Sequence, residues 1–149
     1  MKVVLQRVTN CQLVIDQKVY SEIEQGILVL LGVTHEDERT DIDWLVNKIC
    51  NLRIFNDTEG KMNLSIQDVK GAVMVVSQFT LHASTKKGNR PSYIKASKPD
   101  HAIPMYEQFV NRCKEQIDRV ETGVFGADMK VTFTNDGPVT IIIDSKDRI

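Results

Sequence analysis

Little in this sequence marks metal, redox or disulfide chemistry. Its three cysteines, Cys11, Cys50 and Cys113, are odd in number and far apart, with no CxxC pair; that spacing argues against a disulfide framework or a zinc site. The three histidines, His35, His82 and His101, are equally scattered, with no HxxxH or HxH spacing, so no metal is expected. No apolar run nears the roughly 20 residues that cross a bilayer, so no membrane partner is expected. The first ten residues, MKVVLQRVTN, are interrupted by polar side chains every few positions and lack the continuous apolar stretch of a secretory signal. A cytoplasmic location is the resulting expectation. There is no GxSxG elbow and no Ser/His/Asp pattern. No repeat, low-complexity tract or composition shift divides the chain.

What is present is an ordinary globular composition, 149 residues of which 42% are hydrophobic. A single domain spanning residues 1–149 is expected, long enough to bury a core without cross-links. Net charge is −1, which alone speaks against nonspecific nucleic-acid binding. The distribution is less even. No acidic residue lies between Val69 and Pro99, where Lys70, Lys86, Lys87, Arg90, Lys95 and Lys98 give +6 and leave −7 for the remainder. A local basic surface suits a phosphate backbone; an ordinary solvated lysine-rich loop has the same composition.

The patterning predicts strands over Lys2–Val8, Cys11–Ile15 and Lys18–Ile23, with a turn at Asp16-Gln17. The apolar run Ile27–Val33 reads as a strand buried on both faces. Ile42, Leu45, Val46, Ile49 and Leu52 recur at helical spacing, with Thr40 or Asp37 placed to cap that helix. A short strand at Leu52–Phe55 and a strand at Ala72–Thr80 follow. A second helix carries Tyr106, Phe109, Val110, Cys113 and Ile117 on one face, with Pro99 suited to its first position. Two final strands, Lys130–Thr134 and Val139–Asp144, flank Asn135-Asp136-Gly137-Pro138. The fold class is α/β: mixed, mostly antiparallel sheets with two main helices on one side.

Two places attract attention chemically. In Ala72–Thr80, period-2 alternation puts Gln78 and Thr80 on the face of Met74 and Val76, and Ser77 and Phe79 on the other. Polar groups thus emerge together where a rigid strand leaves the core, a common setting for a site. They also suit a strand edge that merely satisfies its own backbone. As a nucleophile, Thr80 or Ser77 needs an adjacent base; His82 is nearest in sequence, with no carboxylate placed to orient it. The second place is Asn135-Asp136-Gly137-Pro138, all turn formers, with Pro138 where a ladder N–H is needed. Arg7, on the apolar stripe of Val3 and Leu5, either snorkels from a strand end or holds a buried acceptor; the first is commoner.

Six segments occur in series: Leu52-Arg53-Ile54-Phe55, Gly60-Lys61-Met62-Asn63-Leu64, Ser77-Gln78-Phe79-Thr80-Leu81, Lys87-Gly88-Asn89-Arg90-Pro91-Ser92, Thr122-Gly123-Val124-Phe125-Gly126-Ala127-Asp128-Met129 and Asn135-Asp136-Gly137-Pro138-Val139-Thr140. In this order and spacing they closely resemble the D-aminoacyl-tRNA deacylase (D-tyrosyl-tRNA deacylase) family, from Met1 to about Asp144. Ile94, bulkier than in many members, and the tail Ser145–Ile149 depart from that pattern.

The resemblance implies an aminoacyl-tRNA editing hydrolase, a homodimer with active sites at the subunit interface, acting on D-aminoacyl-tRNA without a cofactor. It implies that Ser77, Gln78, Phe79 and Thr80 line the catalytic pocket for the terminal adenosine and aminoacyl ester. It implies that Gly137-Pro138 is a cis-proline motif whose carbonyls exclude L-amino acids in the partner's site. Arg7 would fix that motif, and Phe125 and Met129 would bind adenosine. Glycine has no side chain to exclude, so glycyl-tRNA is expected to be cleaved too. The adenosine 2′-OH would help to activate water, with N–H donors near Phe79 and Thr80 for the oxyanion. Lys86, Lys87 and Arg90 are the expected contacts to the tRNA backbone. Rival expectations are an esterase with Thr80 as nucleophile and a non-catalytic RNA-binding module.

Overall fold

The structure, a computed structural model, describes every residue from Met1 to Ile149. Its organising element is a single long strand, β1 (Lys2–Ile15), where the sequence suggests two. Thr9 and Asn10 break the apolar alternation but not the extended backbone. They are exposed, and Asn10 Nδ2 donates to Thr134 Oγ1 at 3.1 Å. The 16–17 turn, with φ of 49° at Asp16 and 64° at Gln17, has the left-handed geometry of a two-residue hairpin loop. It leads into β2 (Lys18–Ile23) and then β3 (Gly26–Gly32).

Both edges of β1 are occupied. Along one runs β8 (Lys130–Asp144), antiparallel from the Lys2↔Asp144 pair to Val14↔Lys130. Along the other, β3 pairs with Lys2–Val8 and β2 with Cys11–Ile15, both antiparallel. β3 then pairs in parallel with β6 (Ala72–Ser77), and β6 in parallel with β7 (Val120–Thr122). The sheet is therefore mixed, with antiparallel pairing predominating. The two parallel joins require crossovers, and each contains a helix: α1 (Arg39–Asn51) between β3 and β6, and α2 (Pro99–Lys114) between β6 and β7. β4 (Phe55–Asn56) and β5 (Met62–Leu64) form a separate small ribbon.

Several local expectations are corrected. The cap of α1 is Glu38, in a capping box with Asp41; Asp37 is occupied by the Thr34 N–H at 2.7 Å and by the Met1 ammonium. Leu52 starts no strand, because its N–H still bonds Lys48 O at 3.0 Å and closes α1. β6 stops at Ser77 rather than Thr80, and Phe79–His82 winds into a 3₁₀ turn. β7 had no recognisable pattern, being three residues long with every one half-buried. Pro99 does open α2, and Pro104 is accommodated inside it.

Both helices lie on one face. Ile42, Leu45, Val46 and Ile49 of α1 and Ala102, Met105, Phe109 and Cys113 of α2 pack with Val3, Leu5, Val29, Leu31, Val73 and Val75 into one core. The opposite face holds a smaller cluster of Val8, Cys11, Leu13, Ile23, Leu28, Met74 and Val76, over which Met129, Val131 and Phe133 lean. All three cysteines are buried and free, and burial pushes the thiols of Cys11 and Cys50 up to about 11. No helix is long and apolar enough to cross a membrane.

The parallel join is tight at Gly26, where a Cβ would sit 1.8 Å from Ala72 O. Gly26→Ala is expected to cost about 3 kcal/mol or more, read as a fall in the urea midpoint; a midpoint within error of the parent would show that β3 and β6 can part there.

Candidate active site

β6 is buried from Ala72 to Val76, and its polar residues begin at half-buried Ser77. The Gln78 N–H still bonds Leu31 O at 2.7 Å, the last rung shared with β3. There the backbone leaves the extended region, with Gln78 at φ −145°, ψ 79°. The first hydrogen bond of the 3₁₀ turn runs from Leu81 N–H to Gln78 O at 3.2 Å, and the next from Ala83 N–H to Thr80 O at 3.0 Å. The N–H groups of Phe79 and Thr80 therefore precede any acceptor within the turn, as the opening donors of a helix always do. Strand alternation does not reach Thr80. Its proximity to Gln78 comes instead from the turn, where Gln78 Nε2 donates to Thr80 Oγ1 at 2.6 Å.

Beside this turn is an apolar groove of about 420 Å³, within the range of small-ligand sites. Ser77, Gln78 and Phe79 form one wall, and Phe125, Met129 and Phe133 the other, with Leu28, Leu30 and Val76 as floor. Three residues of the expected catalytic segment are thus brought together with the expected adenosine-binding residues, Phe125 and Met129, while Thr80 is not part of the groove's lining. Phe79 is 53% exposed and meets Tyr93 edge-on with ring centroids 5.1 Å apart. Phe125 rests against Tyr106 at 6.2 Å, and Tyr106 donates to Val75 O at 2.7 Å. Tyr106 looks from sequence like one more core position on α2; its hydroxyl is what fastens that helix to β6 beneath the groove.

No side-chain nucleophile is assembled. Thr80 Oγ1 has Gln78 as its only side-chain partner. His35 Nε2 contacts Ile94 O at 3.3 Å. His82 is buried with Nε2 unpartnered, as is Nε2 of His101. Burial lowers the pKa of His82, seconded by the Met1 ammonium and Lys2, while the Gly32 carbonyl and Asp37 oppose the shift.

The second site element is elsewhere in the chain. Register between β1 and β8 passes from Val8↔Asn135 to Gln6↔Thr140, so Asp136, Gly137, Pro138 and Val139 all arch out opposite Arg7. Gly137 and Pro138 are exposed, Gly137 has φ of 120°, and the bond between them is cis. Arg7 is not a snorkelling strand-end residue. It is 5% exposed, and its guanidinium donates to Asp136 O at 3.2 Å, Ile54 O at 2.7 Å and Asn56 Oδ1 at 3.4 Å, with Asp136 Oδ2 at 3.2 Å. Gln6, which sequence reading passed over, accepts from Asn135 Nδ2 at 2.8 Å and from Thr140 Oγ1 at 2.5 Å. Asn135 Oδ1 in turn accepts the Val139 N–H at 3.3 Å. Only a polar residue preceding an arginine on β1 hinted at this.

The arch and the Ser77 end of the groove are far apart within one chain. Arg7 is level with Ile27 and Val73, whereas Ser77 is level with Leu31 and Val3. Four residues along the strands and three strand spacings across amount to roughly 20 Å. Lys86, Lys87 and Arg90 are exposed on the excursion that follows the 3₁₀ turn, pinned by the Ser84↔Ser92 and Thr34↔Ala96 bridges.

Fold and site together define a small mixed α/β protein with an apolar groove at a strand end and no catalytic side-chain pair beside it. The family model described as D-Tyr-tRNA(Tyr) deacylase matches residues 4–144, and the chain belongs to that family, whose members are hydrolases. It is 57% identical to a protein of Flavobacterium psychrophilum named D-aminoacyl-tRNA deacylase, over 99% of both chains. It is 56% identical to one of the same name from Cytophaga hutchinsonii, over 97% of both. Among solved structures, one titled c-Myc DNA Unwinding Element Binding Protein superposes with a TM-score of 0.92 at 38% identity, covering 97% of this chain and 98% of that one. A probable eukaryotic D-amino acid tRNA deacylase shares the fold, with a TM-score of 0.82 at 16% identity over 95% of this chain and 97% of the other.

A histidine whose pKa is lower folded than unfolded binds its proton more readily in the unfolded chain. Its contribution is complete above the unfolded value of about 6.5 and is lost as pH falls through the folded one. The unfolding free energy is expected to drop between pH 7 and pH 5, and to drop less in His82→Asn. Urea titrations at the two pH values compare them, and equal drops would assign the loss to other groups.

Proposed function

We propose that the chain hydrolyses the ester of D-aminoacyl-tRNA, releasing tRNA and the D-amino acid, at a site completed between two copies. The observation that carries this reading is the separation of the two site elements. The groove holds space for an adenosine and an aminoacyl group but nothing that senses handedness. The Gly137-Pro138 arch is rigidly held and exposed yet roughly 20 Å from Ser77 along the sheet, which favours its delivery to the Ser77 end of the groove by a second copy. A homodimer with the arch of one subunit in the groove of its partner provides that delivery.

In this arrangement the adenosine lies against Phe125 and Met129, and the ester carbonyl faces the free N–H groups of Phe79 and Thr80. Those groups point where negative charge develops on the carbonyl oxygen, which lowers the barrier without a protein nucleophile. The water is activated with help from the adenosine 2′-OH. The partner's arch presents carbonyl oxygens where an L-side chain would project, whereas a D-side chain turns away. Glycine offers nothing to exclude, so glycyl-tRNA, such as that mischarged on tRNA-Ala, is cleaved as well. Lys86, Lys87 and Arg90 meet the tRNA backbone. A tRNA-editing enzyme of this kind works in the cytoplasm.

The chiral reading is tested on D-tyrosyl-tRNA and L-tyrosyl-tRNA side by side. The first should be cleaved and the second left intact over the same interval; equal cleavage ends the claim. Gly137→Ala places a methyl 3.0 Å from Arg7 Nη2 and Val139 Cγ2 at a left-handed φ. It should abolish turnover or chiral discrimination, at a stability cost of about 1–3 kcal/mol. Discrimination unchanged in that variant would remove the arch from the mechanism.

Thr80→Ala separates this reading from the esterase. It should retain turnover within about tenfold, since the backbone N–H remains. Complete loss in a variant with an unaltered urea midpoint would make the hydroxyl the nucleophile.

A further inference from the structure

Across the 3₁₀ turn from the apolar groove lies a larger, open cleft of about 730 Å³. Leu81 and His82 of the turn, with Ala83 after it, form one side of the cleft, and Phe79 of the same turn lines the groove, so this four-residue segment is the partition between them. Lys86 and Lys95 project into it from the excursion, and Lys2 and Lys146 from the ends of β1 and β8. Against these four cations stand only Glu36 and Asp144. Lys2 is 3.6 Å from Asp144 and Lys146 is 2.8 Å from Asp41, so both are already engaged. Lys86 and Lys95 have no carboxylate within ion-pair distance.

The wall contributes a second, independent feature. His82 is 8% exposed, lines the cleft, and has Nε2 without a hydrogen-bond partner. A buried polar atom without a partner costs free energy unless a ligand or water satisfies it. Surface lysines alone are an ordinary solvated loop. Two lysines free of carboxylates, lining one concavity whose wall is the turn shared with the groove, suit an anion continuous with the groove's occupant.

We propose that this cleft is a phosphodiester subsite, seating the sugar–phosphate linkage immediately 5′ to the adenosine that occupies the groove. It rests on the reading of the substrate given above and extends it. The turn between the two cavities is a single turn of backbone, so a nucleotide chain entering the groove by its 3′ end lies across it. Lys86 and Lys95 then neutralise the phosphate, and Leu81 and His82 form the wall that the preceding ribose faces. Lys87 and Arg90, outside the cleft, are left for phosphates further along the strand.

The test compares D-tyrosyl-tRNA with 3′-O-D-tyrosyl-adenosine, which has the same ester and no phosphate. In Lys95→Glu and in Lys86→Glu the KM for the tRNA substrate should rise about tenfold with kcat unchanged. KM for the adenosine ester should stay within about twofold. Lys70→Glu, the same charge change at a remote site, controls for net charge and should leave both substrates alone. An equal rise for both substrates would mean that the turn, not a phosphate contact, had been disturbed; an equal rise in Lys70→Glu would mean a diffuse field. Either overturns the proposal. A second measurement follows backbone amide resonances as the dinucleotide CpA or adenosine is added. CpA, and not adenosine, should shift Leu81–Lys86 and Lys95, and identical shifts from both would refute the subsite. If no D-aminoacyl ester is cleaved but CpA still selects those amides, the proposed activity fails and the subsite stands. If cleavage is stereospecific while CpA behaves as adenosine does, the subsite fails alone.

Discussion

A guanidinium removed from water must find acceptors inside the protein, and Arg7 finds them in two separate pieces of chain. It donates to Ile54 O next to β4, to Asn56 Oδ1 within it, and to Asp136 O at the base of the arch in β8. A charge-assisted hydrogen bond of this kind is strong and directional. Because Arg7 has no partner in β8, its side chain fills the place where four arched residues have left the ladder. Without it the arch would be an exposed turn of glycine and proline with nothing below. With it, and with Gln6, Asn135 and Thr140 bonded to one another alongside, the arch is a fixed projection. Every functional role given to Gly137 and Pro138 presumes that fixity.

How much of this was legible in the sequence follows from which interactions are local. The apolar stripes of both helices predicted their buried faces, because the 3.6-residue repeat survives any tertiary context. The hairpin at Asp16-Gln17 was equally plain. The boundary of β6 was not, since Ala72–Thr80 keeps a strand-like composition through Thr80 while the backbone turns at Gln78. Nothing in residues 78–80 announces a 3₁₀ turn; it is dictated by where β3 ends, one rung after Leu31. β7 was invisible because three residues pair only where β6 is already in place. Arg7 was misread on the bare residues for the same reason: its acceptors lie 47 and 129 positions away. The ordered motifs name segments far apart in the chain, and of these Ser77–Phe79, Phe125 and Met129 enclose one groove.

The electrostatics of the molecule divide along the 3₁₀ turn. On one side lies an apolar groove in which a base and an amino-acid side chain can shed water. On the other is a cationic cleft beside a histidine held neutral by burial. One concentrated basic region, offset by −7 over the rest of the chain, reconciles a net charge of −1 with the polyanionic substrate proposed. It also explains why the basic stretch and the catalytic segment adjoin in sequence: the excursion that carries the lysines begins where the turn ends.

The donors proposed for the groove belong to the peptide backbone, and on that reading evolution can do less to the molecule by single substitutions. An enzyme dependent on one serine or histidine is disabled by a single base change at its codon. Here almost any side chain at positions 79 and 80 leaves the amide in position, so the reading frame of the turn matters more than its letters. The vulnerable genetic event is the gain or loss of one codon between the end of β6 and His82, which would rotate both amides out of the groove while leaving every neighbouring residue type unchanged.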